Sequence, residues 1–227
     1  ACSEEEKPPS EPIEDFAGLE EDTGVLEDDT GLDTAEQTDS GQEEECEPVV
    51  YDSNPFASGI VSYSPGDQAG FGQDGLPDIV LGAPLGGGEN SGSLDVLSLG
   101  QNGSIVLSFN MEIMDGIGPD IIVFENVFIG WTETGVVSAS LDGEEWYTWP
   151  CDPSLAPDPL SGCAGVSPSL SHPNNCIDAT DPEISGGDSF DLADIGLNSA
   201  KFIKIQDSGA NPSGGFDLDA VSIVHGQ

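Results

Sequence analysis

Eight short runs between residues 78 and 226 are too brief for ordinary helices and too apolar for loops. They are "DIVLGAP" (78–84), "SLDVLSLG" (93–100), "GSIVLSFN" (103–110), "PDIIVFEN" (119–126), "GVVSASLDG" (135–143), "EWYTWP" (145–150), "AKFIKIQD" (200–207) and "DAVSIVHG" (219–226). Each is rich in β-branched or aromatic residues, and most are bounded by Gly, Pro, Asn or Asp. Several alternate: Ile105, Leu107 and Phe109 would share one face, and Val106, Ser108 and Asn110 the other. Only "DSFDLADIGL" (188–197) reads as helical, for about one turn. The pattern predicts an all-β domain, an antiparallel β-sandwich or jelly roll.

That domain occupies residues 48–227, long enough for one sizeable core. Residues 1–47 have another character: they hold 19 of the 44 acidic residues and few large apolar ones. Such a segment cannot bury enough surface to fold, so it is expected to be a disordered, self-repelling acidic tether. Within the domain, 150–187 reads as a long insertion without regular structure. Three of the five cysteines lie in it, which fits a stapled loop.

Charge narrows the partners. Against 44 acids stand only 3 basic residues, a formal net charge of −41. Nucleic acid and anionic membrane are excluded, because the electrostatic term for both has the wrong sign. Clustered carboxylates favour hard divalent cations, while a salt-adapted or simply very soluble surface would carry the same net charge. The segment "GGFDLDAVSIV" (214–224) is the sharpest case. In a regular strand Phe216, Leu218 and Ala220 face one way while Asp217 and Asp219 repel each other on the other face. Further acids sit at strand ends and glycine-rich turns, in "DGIGPDIIVFEN" and "GGDSFDLAD". Calcium takes six to eight oxygens from carboxylates, amides and carbonyls, and no EF-hand loop is present, so any site must be assembled by the fold. The expected Ca²⁺ set is Asp217, Asp219, Glu125 and Asp191, completed by Asp120 or Asn126.

The start "ACSEEE" resembles a processed bacterial lipoprotein, with Cys2 taking the lipid before an acidic surface-export run. That resemblance implies an extracytoplasmic protein at the bacterial cell surface, touching membrane only through its anchor. No apolar stretch of about 18 residues exists to span a bilayer. Setting Cys2 aside leaves Cys46, Cys151, Cys163 and Cys176, an even number that fits disulfides in an oxidising compartment. Three pairings are open; Cys151–Cys163, closing a small proline-rich loop, with Cys46–Cys176, pinning the tether to the domain, is preferred. No C-x-x-C pair favours a thiolate metal site.

Two stretches carry a further resemblance. "VVSASLDGEEWYTWP" (136–150) is similar to the strand–turn–strand signature of discoidin-type, galactose-binding-like β-sandwiches, and "AKFIKIQDSG" with "DLDAVSIVHG" resembles their paired late strands. "VLGAPLGGG", "GSLDVLSLGQNGSIVLSF", "DGIGPDIIVFEN", "GGDSFDLADIGL" and "GFDLDAVSIVHG" together resemble a family of bacterial cell-surface lipoproteins. The resemblance implies the sandwich fold, a surface location and Trp146 as a core residue of its hairpin.

Trp131, in the loop "FIGWTET", is the best exposed candidate for stacking on a sugar. Catalysis has little to stand on. His172 and His225 cannot make a three-His zinc site, and no G-x-S-x-G turn presents a nucleophile. The expectation is a non-enzymatic, calcium-binding surface module for adhesion or for a glycan or protein ligand. The alternative is a structural or accessory subunit of a surface assembly, with the cation as a staple.

Overall fold

The computed structural model describes residues 46–127, 130–211 and 214–227. The chain divides into two units, Ala1–Glu43 and Glu44–Gln227, and every feature below belongs to the second. Residues 1–45, which hold Cys2 and nearly all of the acidic tether, lie outside the described residues.

Among the described residues nine strands form two antiparallel sheets: β1 (Gly59–Ser64), β2 (Leu97–Ser98), β3 (Ser104–Met114), β4 (Ile121–Glu125), β5 (Gly135–Ser140), β6 (Tyr147–Thr148), β7 (Asp188–Phe190), β8 (Ser199–Asp207) and β9 (Asp217–Ile223). One sheet has the order β1-β3-β8-β5-β6, the other β2-β9-β4-β7. The domain is therefore the all-β sandwich that the strand pattern predicts. Its core lies between the sheets, where Ile105 and Leu107 of β3, Val137 and Ala139 of β5 and Ile203 and Ile205 of β8 meet Ile121 and Val123 of β4 and Leu218 and Val221 of β9. Each such side chain contributes roughly 1.5–3 kcal/mol on full burial.

Strand β4, "IIVFE", is buried throughout instead of alternating. Both of its faces are covered. Ile122 and Phe124 point away from the core into a second cluster with Phe56, Ala179 and Ala220, packed by Tyr51 and Ala83. The chain before β1 and part of the 150–187 insertion thus form a third layer over the four-stranded sheet. A disulfide between Cys46 and Cys176 ties these two segments together, and Cys151–Cys163 closes the other loop of the insertion.

Four local expectations are corrected. "DIVLGAP" is no strand: Asp78–Val80 make a 3-10 turn, with Val80 buried in the core as a plug. "GIVSYS" at β1 pairs with β3 instead and supplies an edge strand. The stretch 188–197 opens as the edge strand β7, paired with β4, before a 3-10 turn at Leu192–Ile195 capped by the Asp191 side chain. Finally, Trp149 and not Trp146 is the core tryptophan: Trp149 packs on Phe190 and donates its indole N–H to the Asp191 carbonyl at 2.8 Å. Trp146 lies outside, under the Lys204 ammonium at 4.7 Å. Its neighbours at 141–145 are an exposed acidic turn, so the register brings the third residue on, not the first, to the core side.

The two disulfides differ in sequence separation, 130 residues against 12. On chain-entropy grounds they should stabilise by about 5 and about 3 kcal/mol respectively. Denaturant unfolding of the paired Cys46→Ser/Cys176→Ser variant should therefore show the larger loss, accompanied by exposure of the Tyr51–Phe56 layer.

Candidate cation site

Strand β9 does not alternate as the sequence implies. Phe124 pairs with Ala220 and Glu125 with Leu218, leaving Asp219 without a partner on β4. This β-bulge shifts the phase: Leu218 and Val221 both face the core, while Ala220 joins the outer cluster. Bulges re-aim side chains next to sites. The Asp217–Asp219 pair is split as a result, and its two carboxylates meet different neighbours.

Asp217 joins two of its predicted partners. Its backbone N–H donates to Glu125 Oε1 at 3.2 Å, and its carbonyl accepts from the Asn126 N–H at 3.3 Å. Burial raises its carboxyl pKa, and the neighbouring Ser98 and Asn126 side chains offset part of that rise. Glu125 is only 2% exposed, and its second oxygen, Oε2, has no partner; nor has the buried Asn126 Oδ1. Burial drives the Glu125 carboxyl well above the usual range, and the charges of Asp217, Glu133 and Asp188 push it further. Glu133, absent from the expected set, closes the group. It is 5% exposed and raised to about 7 by burial and then by Asp217. Nothing in its local sequence marked it, since it lies in the loop "WTET" and comes to the cluster only through the fold.

The other predicted ligands lie elsewhere. Asp120 precedes β4 and Glu125 ends it, which separates them by about 16 Å of extended strand. At that far end Asp120 is fully buried and occupied: Oδ1 accepts from the Gly116 N–H at 2.8 Å and meets His225 Nδ1 at 2.9 Å, and Oδ2 accepts from the Leu192 N–H at 2.8 Å. Asp191 stands beside it with Asp115. This is the one trio among the described residues whose ligand atoms lie within 4.8 Å of one another. Its carboxylates do structural work, Asp120 pinning two loops and Asp191 capping a turn, and neither has an orphaned oxygen. Asp219 is separate again, both oxygens 3.0 Å from the Leu85 N–H at a cleft of about 330 Å³ that Asp95 also lines. Of the six residues the structure brings together only Glu125, Asn126 and Asp217, with Glu133 beside them, and it places Asp120, Asp191 and Asp219 elsewhere.

Four side chains from three separated segments thus offer an oxygen-only donor set, two atoms of it buried and unsatisfied. That is the chemistry of a hard cation such as Ca²⁺. The carboxylates stand further apart than 4.8 Å as a trio, so an ion would draw them inward. Beside them, Trp131 is 46% exposed on a cleft of about 400 Å³ with Thr132, Pro153 and Asn211.

No family model matches the chain, and no curated protein matches it. Among solved structures it is similar to the C-terminal domain of a chitobiase from Bacteroides fragilis, at 12% identity and a TM-score of 0.30 over 55% of this chain. The match spans 63% of that chain, less than two thirds of its length.

Buried carboxyls set a pH dependence. Burial raises Asp219 from 3.8 to about 7 and Asp188 from 3.8 to about 6. Each holds its proton more tightly when folded, so between about pH 4 and about 7 the folded state binds more protons and stability falls as pH rises. Thermal melts in chelator should show this decline. Asp219→Asn, which keeps an acceptor for the Leu85 N–H but carries no charge, should make it shallower.

Proposed function

We propose that this chain is a non-enzymatic binding module of the cell exterior, a β-sandwich stapled by Ca²⁺ at Glu125, Asn126, Asp217 and Glu133. The observation that carries the reading is the orphaned Glu125 Oε2 deep among other carboxylates. A buried carboxylate without a partner costs several kcal/mol unless it is neutralised or meets a cation. Among the described residues no lysine is at hand: Lys201 pairs with Glu112 at 3.4 Å and Lys204 rests on Trp146. Two disulfides support an oxidising, extracytoplasmic location. Among the described residues no helix is long and apolar enough to cross a membrane. The acidic run after Cys2 extends the reading to a lipid anchor there and to display at the surface. The ligand we propose is a glycan contacting Trp131, in the service of adhesion.

Calcium titration followed by thermal and denaturant unfolding tests the staple. At free Ca²⁺ 100-fold above the dissociation constant, stability should rise by about 2.7 kcal/mol. Glu125→Gln combined with Asp217→Asn should remove the rise, whereas Asp191→Asn should preserve it. No shift at millimolar calcium would sink the proposal.

A further inference from the structure

Glu133 belongs to two places at once. On one side its carboxylate shares the buried acidic group with Asp217 and Glu125. On the other, Asn211 Nδ2 donates to its Oε1 at 3.0 Å, and the Trp131 side chain lies near enough to offset part of the rise in its pKa. Gly214 packs directly against Glu133 Oε1 where any Cβ would collide, which leaves the carboxylate little room to swing. Trp131 and Asn211 are also the aromatic and amide walls of the 400 Å³ cleft.

The chemistry of that cleft is distinct from the rest of the molecule. Its lining, Thr132, Thr134, Pro153 and Ala156 beside Trp131 and Asn211 among it, has not one charged side chain, in a chain carrying 44 acids. A cationic ligand would find no carboxylate there, and an anionic one would find no base and a negative surrounding field. An exposed indole face beside an amide and hydroxyls suits an uncharged polyol, which stacks its C–H face and exchanges hydrogen bonds.

We propose that the Trp131 cleft is a neutral-sugar site controlled by the cation through Glu133, the carboxylate shared by both. This rests on the calcium reading above. A bound ion fixes the carboxylate from behind and so holds Asn211, the amide wall facing the same cleft as Trp131, in place before the sugar arrives, removing an ordering cost from binding. Linkage makes the effect mutual: calcium tightens sugar by the factor by which sugar tightens calcium.

The test uses the full chain labelled with ¹⁵N, following the tryptophan indole N–H resonances, with Trp131→Phe to assign the one of interest. Calcium alone should shift the Trp131 resonance and slow its hydrogen exchange. Glucose, galactose and N-acetylglucosamine, titrated to tens of millimolar, should include at least one that shifts it further. That sugar should bind about fivefold or more tightly with calcium than with chelator. Asn211→Ala should lose the sugar response while keeping the calcium-induced rise in melting temperature. Glu133→Gln, which keeps an acceptor but no charge, should make sugar affinity the same with and without calcium. If calcium raises the melting temperature yet leaves Trp131 and sugar affinity unchanged, the coupling is wrong and the staple stands. If none of the sugars perturbs Trp131 in calcium, the assignment of the cleft is wrong. If calcium does not change the melting temperature at all, the staple and the coupling fall together.

Discussion

Buried carboxylates gripping loop backbone amides hold this sandwich together. Long segments without regular structure expose N–H groups that must find acceptors once they are covered. Asp188 Oδ2 takes the N–H groups of Gly165, Val166 and Ser167. Asp207 takes those of Asn102, Gly209 and Phe216. Asp120 gathers the loops at Gly116 and Leu192, and Asp219 takes Leu85. Asp120, Asp188 and Asp207 sit at or next to strand ends and Asp219 at the bulge of β9, and each fastens a loop distant in sequence, so the acids act as pins of the tertiary structure. Hydrogen bonds of this charge-assisted kind are about twice as strong as neutral ones.

Against that background Glu125 is the exception. It ends a strand buried on both faces, where the pattern of "IIVFE" would favour one more apolar residue, and one of its oxygens grips nothing. Its neighbours share its sign. The disulfides and the third layer over β4 keep this part of the sandwich closed, so the repulsion cannot be relieved by splaying outward into water. A cation, a proton or unfolding are the remaining remedies, and the oxygen donors from β4, β9 and the loop before β5 suit the first.

The acidity of the chain therefore has two parts with different physics. Exposed carboxylates, such as Asp142 with its turn amides, are solvated and cap local structure. Burial raises the pKa of Glu125, Glu133, Asp188 and Asp219, so these hold their protons more tightly than free carboxyls do. The cleft at Trp131 lies between these regimes: its lining is uncharged, and it touches the acidic group through Glu133 alone of that set.

Much of the fold was legible because strand signals are local. Alternation in "GSIVLSFN" and "AKFIKIQD" and the turn residues between runs depend only on neighbours in the chain, and they determined the all-β class and most of the strands. Composition likewise determined which partners charge forbids. The site was legible only in part. Glu125, Asn126 and Asp217 were recognisable as strand-end acids and an amide. The bulge at Asp219 that separates it from Asp217, the distance along β4 that removes Asp120 and Asp191, and the arrival of Glu133 from a loop were not. Those are decided by which strands pair and in what register, and pairing is a contest among distant segments for one buried face. Sequence determined what each segment could become; tertiary structure alone decided which carboxylates would meet.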